Sequence, residues 1–276
     1  HCPRARRQRR RLTPAFYCAR WNLVPDGAAI ATPSSLLLPV RRDGEPAMLK
    51  IAREEEERRG GRLMAWWQGD GAARVLMHDD TALLMERVEG PATLGAMVAE
   101  GKDDEASRVL CSVAHRLHAV RGELPSSLQP LERWFAALAP AAATHGGVLA
   151  EAYAVACRLL ETLREVVVLH GDIHHGNVLD GGVRGWLAID PKALRGERTF
   201  DYVNILRNPD AATALASGRF ERQACLIAEA AELDRRRLIQ WALAFSGLSA
   251  AWHLADGTSA ALDLAIARLA LAALRS

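Results

Sequence analysis

The sequence predicts an α+β chain of two unequal lobes, a small antiparallel sheet followed by a mostly helical segment. Three observations carry this. Short apolar runs separated by turn signals dominate residues 16–88. Apolar positions recur at helical spacing through most of residues 89–276. A chain of 276 residues with 50% hydrophobic content can bury more than one core. Residues 16–88 therefore read as an N-terminal lobe and 89–276 as a helical C-terminal lobe. Residues 1–15 read as an Arg-rich, disordered leader.

Charge and cysteine usage narrow the class. The net charge is +2, with 35 basic and 33 acidic residues, a balance that does not suggest a nucleic-acid binder. The basic charge is concentrated in HCPRARRQRRRL, where six of the first eleven residues are Arg and no aromatic residue is interleaved. That run reads as a leader rather than an RNA-binding arm. The five cysteines (2, 18, 111, 157 and 225) form no CxxC pair. They predict reduced thiols in a cytoplasmic protein, not a disulfide framework or zinc site. No apolar run reaches membrane-span length, so no membrane partner is expected.

The first lobe reads as strands from residue 16: WNL, AAIATPSSLLLPV and AMLKIA, with Asp43-Gly44 as a hairpin turn. Lys50 is the one charge inside the last run. REEEERRGGRLMAWW follows as a helix whose Glu54–Glu57 run offers Lys50 a carboxylate, and Gly60-Gly61 weaken it. AARVLMHDDTALLMERVEG reads as two further strands about the turn His78–Thr81, ending in a connector.

From residue 92 the chain is helical. Thr93 caps one helix, and Asp103-Asp104 open another that carries His115 and His118, read as surface or capping groups. Two helices flank His145–Gly147. After residue 190 a loop leads to the helix DYVNILRN, with Asp201 near its start and Asn208-Pro209 ending it. Three apolar-striped helices complete the chain, and Trp241, Phe245 and Leu248 fit a core stripe.

The stretch VVVLHGDIHHGNVLDGGVRGWLAID, residues 166–190, concentrates the chemistry. VVVL, VLD and WLAI read as strands, the last two joined by Gly181–Gly185 as a hairpin. Centring that hairpin between Val183 and Arg184 pairs residue 180 with 187 and sets Asn177 opposite Asp190. Two oxygen donors with open positions suit a Mg²⁺ that keeps waters and binds phosphate oxygens. Asp172, in the loop just before, is free to face a substrate hydroxyl. His-x-Asp-x-x-x-x-Asn followed by a strand and a second Asp is the layout of a kinase catalytic loop and metal site. In that architecture Ser34 and Ser35 would cover the phosphates of ATP, and the Glu86 carbonyl and Val88 N–H would meet adenine.

Taken together, LPVRRDGEPAMLKI, EEERRGGRLMAWWQGDGAARVL, LHGDIHHGNVL, RGWLAIDPKALRGERTFDYVNILRNP and GLSAAWHLADG resemble the aminoglycoside phosphotransferase family. Among its branches they are most similar to the aminoglycoside/hydroxyurea resistance kinases, over roughly residues 16–270. The glycine-free loop at 31–35 and the Arg-rich leader depart from the family pattern. The resemblance implies a bilobal protein-kinase-like fold transferring the γ-phosphoryl group of ATP to an aminoglycoside, streptomycin at its 6-hydroxyl. It places the lysine-partner carboxylate at Glu57. It implies that Asp172 orients the acceptor hydroxyl, Asn177 and Asp190 hold Mg²⁺, Lys50 binds phosphates, and His170 braces the loop. Streptomycin carries guanidinium groups, so its pocket should offer carboxylates and a stacking wall. Asp201, Asp256 and Trp252 are the candidates, Asp201 also being placed to brace the catalytic loop. The rival readings are a kinase of the same fold acting on hydroxyurea or another small hydroxylated metabolite, and a non-catalytic binding protein.

Overall fold

A computed structural model describes residues 13–120 and 122–276. The expected leader falls outside the described residues as far as residue 12. Its last residues, Pro14 and Ala15, belong to a helix. That helix, α1 (Pro14–Trp21), replaces the expected first strand. Thr13 caps it, accepting from the Phe16 N–H at 3.3 Å, and Pro14 sits where its missing N–H costs nothing. Asn22 then turns left-handed at the C-cap.

The N-terminal sheet comprises β1 (Val24–Pro25), β2 (Ile30–Ala31), β3 (Ser35–Arg42), β4 (Glu45–Ala52), β5 (Val75–His78) and β6 (Ala82–Glu86). All its pairings are antiparallel, in the order β1-β3-β4-β6-β5, with β2 also on β3. Asp43 and Gly44 both have positive φ (52° and 85°) between β3 and β4, as a tight two-residue turn requires.

Alternation along β4 and β6 decides what faces the cleft. Ala47, Leu49, Ile51, Ala82 and Leu84 pack with Tyr17, Trp21 and Leu38 in a small core under α1. Lys50, Leu83 and Met85 therefore face the other way, toward helix α2 (Glu55–Trp67). The lysine is thus delivered to the inter-lobe side by strand period alone. Gly60 serves packing rather than weakness. A Cβ there would stand 2.4 Å from the Pro191 carbonyl oxygen, so only glycine lets α2 approach the segment after Asp190 so closely.

The helical part contains α3 (Leu94–Ala99), α4 (Asp103–Ala119), α5 (Leu131–Trp134), α6 (Leu138–His145), α7 (Gly147–Glu161), α8 (Ala211–Ala214), α9 (Arg219–Ala230), α10 (Arg235–Ala255) and α11 (Ala261–Arg275). Its short strands are β7 (Gln129–Pro130), β8 (Val166–Leu169), β9 (Val178–Asp180), β10 (Trp186–Ala188) and β11 (Leu194–Glu197). The sequence reading missed β11, which pairs with β8. A 3₁₀ stretch over Arg198–Arg207 occupies the expected DYVNILRN helix.

Trp241 and Leu248 lie in one large core that also takes in Leu63, Met64 and Trp67 of α2. Buried bidentate pairs tie elements distant in sequence. Arg219 of α9 reaches Asp103 at 2.8 Å, and Arg237 of α10 reaches Glu197 at 2.6 and 2.7 Å. The parts also join through backbone. The Ala73 N–H donates to the Ala188 carbonyl at 3.0 Å, and the Gly90 N–H to the Asp180 carbonyl at 2.8 Å. Among the described residues no helix is long and apolar enough to cross a membrane.

Candidate active site

The hairpin of β9 and β10 differs in register from the expected one. Trp186 pairs with Asp180 and Ala188 with Val178. The turn is a 3₁₀ loop over Gly182–Arg184, closed by Gly181 N–H donating to the Gly185 carbonyl at 2.8 Å. Its centre is therefore Val183, half a residue earlier than assumed. Asn177 stands opposite Ile189, whose N–H donates to the Asn177 carbonyl at 2.9 Å. Asp190 lies one residue beyond, in a left-handed conformation (φ 62°). Asn177 and Asp190 still line one cleft, of about 210 Å³, with Ser34, Ser35, Lys50 and Glu57.

Lys50 makes ion pairs with both Glu57 and Asp190. Glu57 is buried and also accepts from the Ser34 hydroxyl at 2.6 Å. Ser35 is turned inward, its hydroxyl 2.9 Å from that of Thr32. Burial pushes the Asp190 carboxyl upward, but the Lys50 ammonium and its hydrogen bond, with Lys192, hold it below the ordinary carboxylate value. The cleft wall ends at Met85, one residue before Glu86. Glu86 turns its carboxylate to Arg184 and to the Arg74 N–H, and Val88 packs against the large core.

Asp172 sits at the floor of a second cavity, of about 450 Å³. Its Oδ1 accepts from Asn204 Nδ2 at 2.7 Å and its Oδ2 from Asn177 Nδ2 at 3.2 Å. Asn177 Nδ2 also donates to the Asp172 carbonyl at 3.0 Å. With the amide nitrogen engaged twice, the amide oxygen is the atom left to ligate. That oxygen and the Asp190 carboxylate form an all-oxygen set. It fits a hard cation of Mg²⁺ type that takes its other ligands from water and phosphate.

The loop before Asp172 is held from beneath. Gly171 (φ 83°) takes the turn that a side chain would block, since a Cβ would meet Leu194 at 2.8 Å. His170 Nε2 donates to the Ile189 carbonyl at 2.8 Å, while Nδ1 accepts the Asp172 N–H at 3.2 Å. Both contacts suit a neutral imidazole, and burial pushes its pKa down.

Asp201, a candidate either for the substrate pocket or for bracing the catalytic loop, takes the bracing position, sealed under this loop. Its side chain is 0% exposed and accepts from the His170 and Gly171 N–H groups at 2.9 and 2.6 Å. His118 is neither surface nor cap. Its Nε2 lies 2.8 Å from Asp201 Oδ2. Asp256 is exposed at the C-cap of α10 and lines neither cavity at the catalytic loop, because the helix ends by turning it outward. Trp252 does line the second cavity, edge-on to Trp134 at 4.9 Å. Phe245, read as core, reaches the same wall and stacks on Trp134.

Sequence reasoning missed Glu56, Trp134, Lys192, Asn204, Arg207 and Asp210 on this cavity. Only the acidic run around Glu56 and the WLAIDPK run carried any local signal. The two adjacent histidines also part company. His174 lines the cavity, its Nε2 3.8 Å from Asp172 Oδ1. His175 is buried behind the loop, with neither ring nitrogen hydrogen-bonded among the described residues.

Burial, then the Arg219 charge, pushes the His175 pKa down to about 4, with Asp103 and Asp210 opposing and His174 adding to the fall. Between the ordinary histidine value and that figure the unfolded chain binds a proton that the folded chain refuses. Stability should therefore fall as pH drops from about 6.5 to about 4, by roughly 3 kcal/mol. Urea melts across that range should show the decline, and His175→Leu should flatten it. An equally steep decline in the variant would assign the effect to other groups.

A lysine on a sheet strand, its helix glutamate, a His-x-Asp loop and an Asn–Asp pair at the lobe seam define a kinase-like phosphotransferase. The chain belongs to the aminoglycoside/hydroxyurea antibiotic resistance kinase family, which it matches over residues 20–257. It is 49% identical over 260 residues to a streptomycin 3''-kinase from Klebsiella pneumoniae, covering 91% of this chain and 97% of that one. It is 34% identical over 256 residues to a streptomycin 6-kinase from Streptomyces griseus, covering 87% and 82%. Its fold is similar to a thermostable mutant of aminoglycoside phosphotransferase APH(4)-Ia in ternary complex with ADP and hygromycin B. There the TM-score is 0.65 at 15% identity, covering 94% of this chain and 95% of that one.

Proposed function

We propose that this chain transfers the γ-phosphoryl group of ATP to a hydroxyl of streptomycin. One observation carries the reading. The Asp172 carboxylate opens into a cavity walled by Trp134, Phe245 and Trp252 and edged by Glu56 and Asp210, next to the Lys50–Asp190 cleft. Aromatic faces and carboxylates are what a hydroxylated, guanidinium-bearing acceptor needs. In this reading residues 16–88 hold the nucleotide with Asn177 and Asp190, and 89–276 supply the acceptor wall apart from Glu56.

Lys50, steadied by Glu57, binds the α- and β-phosphates. Asn177 and Asp190 would hold Mg²⁺, which would supply positive charge against the phosphate oxygens. Asn204 and Asn177 fix the Asp172 carboxylate, which orients the acceptor hydroxyl and receives its proton. In a loose transition state little more than such positioning and charge neutralisation is required. Ser34 and Ser35 close over the phosphates, Ser34 exchanging its bond to Glu57 for one to the nucleotide. The base lies beyond Met85, against the Glu86 carbonyl and Val88 N–H.

The 49% identity to a 3''-kinase, against 34% to a 6-kinase, favours the 3''-hydroxyl over the 6-hydroxyl expected from sequence. Streptomycin with Mg·ATP should give stoichiometric ADP release, and NMR of the product should place phosphorus at the 3''-oxygen. Phosphorus at the 6-oxygen would overturn the regiochemistry. ADP release with hydroxyurea but none with streptomycin would overturn the acceptor.

A further inference from the structure

The two cavities at the catalytic loop share one lining residue, Lys192. Its ammonium lies 3.4 Å from Glu56 Oε1 and 3.9 Å from Asp172 Oδ2. Its backbone is pinned to the catalytic loop, the N–H donating to the His170 carbonyl at 2.7 Å. Adjacent carboxylates of α2 each hold a lysine, Glu57 holding Lys50 and Glu56 holding Lys192. Lys50 and Glu57 line the nucleotide-side cleft, Glu56 lines the second cavity, and Lys192 lines both.

We propose that Lys192 is a catalytic residue that binds the γ-phosphoryl group as it passes from the nucleotide cleft to the acceptor cavity. The inference rests on the phosphotransferase reading of the site and not on which acceptor is used. In the transfer the bond from γ-phosphorus to the β,γ-bridging oxygen breaks, and its electron pair leaves with ADP. The acceptor oxygen bonds to γ-phosphorus, and the hydroxyl proton passes to the Asp172 carboxylate. Lys192 exchanges no proton in this step. It faces the equatorial oxygens, over which negative charge spreads in a loose transition state.

Lys50, Asn177 and Asp190 line the cleft and not the acceptor cavity. Arg207, the other cation on the acceptor cavity, is paired with Asp263 and lies over the Phe245 ring at 5.3 Å. Lys192 is therefore the cation placed at the crossing. A preplaced charge there stabilises the moving group without reorganisation. The Glu56 contact keeps the ammonium in place when no phosphate is present.

The test compares the full chain with Lys192→Ala, Lys192→Met and Lys192→Arg. Dissociation constants for Mg·AMP-PNP and Mg·ADP are measured by calorimetry, alongside kcat and KM with streptomycin. Lys192→Ala should weaken AMP-PNP about fivefold relative to ADP, the loss of one charge-assisted contact to the γ-phosphate. Its kcat should fall by about 10²-fold with a smaller change in KM, the size expected for removing one preplaced donor. Lys192→Arg should recover a substantial part of both. Lys192→Met keeps the apolar stem and gives the same readings if the alanine variant melts early. An AMP-PNP to ADP ratio unchanged from wild type, or a kcat within about threefold of it, would overturn the assignment. If wild type fails to turn over streptomycin, the acceptor proposal falls, while the binding ratio still decides the role of Lys192.

Discussion

Asp172→Ala is expected to lower kcat by roughly 10²–10⁴-fold while leaving Mg·AMP-PNP affinity within a few-fold of wild type. Asp172 lines the acceptor cavity and not the cleft around Lys50 and Asp190, so its loss removes nothing that faces nucleotide. What is lost, in the mechanism we propose, is the acceptor for the hydroxyl proton. Asn204 Nδ2 also loses its partner, and Asn177 Nδ2 keeps only the backbone carbonyl of residue 172. Asp172→Asn separates these effects. It keeps an oxygen for Asn204 but sets an amide nitrogen against that of Asn177, and it cannot take a proton. Both variants should therefore be similarly slow. Single-turnover transfer from ATP and calorimetry with AMP-PNP make the comparison. Turnover by either variant within tenfold of wild type would remove Asp172 from the proton-accepting role.

How far the site was legible follows from how its parts are encoded. Lys50 was visible because strand alternation alone decides which face of β4 it occupies. Asp172, Asn177 and Asp190 were visible because they fall within one local stretch, where spacing along the chain is nearly spacing in space. The hairpin register was misjudged for a local reason too. Five residues containing three glycines admit more than one turn, and the 3₁₀ loop at Gly182–Arg184 shifts the pairing by one. Even so, the left-handed backbone at Asp190 brings its carboxylate to Lys50.

Of the proposed acceptor cavity's walls only Trp252 was named for that role from sequence, and only Glu56 and Lys192 besides it carried local signal. Glu56, Trp134, Lys192, Asn204 and Trp252 come from four separate elements and a loop, and which face each turns inward depends on packing that no local pattern states. Trp252 and Asp256 illustrate this. They are one helical turn apart, yet one lines the cavity and the other points to solvent. The strand read at WNL failed for a simpler reason. Thr13-Pro14, a cap followed by proline at the first helical position, is a helix start, and it outweighs the apolar run that follows.

Asp201 shows how a buried charge can govern a site that it never touches. Its two oxygens hold the N–H groups of His170 and Gly171 and meet His118, all in a region closed to water. Asp201→Ala leaves two backbone donors and an imidazole without that acceptor. Each orphaned buried donor costs about 1–3 kcal/mol, so a loss of roughly 3 kcal/mol in stability is expected. The catalytic effect should exceed what unfolding explains. His170 is also bonded to Ile189 and to the Asp172 N–H, so a loop released at Gly171 shifts Asp172 and loosens the approach to Asp190 together. Measured well below its melting temperature, the variant should show kcat reduced by about 10²-fold, the loss that follows when a reacting group is displaced by about 1 Å. Asp201→Asn tests the geometry more finely. It preserves volume and one acceptor, but sets an amide N–H against a backbone donor, so it should recover packing without recovering rate. Chemical denaturation gives the stability arm, and initial rates at saturating ATP and acceptor give the other. Full rate in a destabilised Asp201→Ala would reduce this carboxylate to a packing group and leave the catalytic loop held by His170 alone.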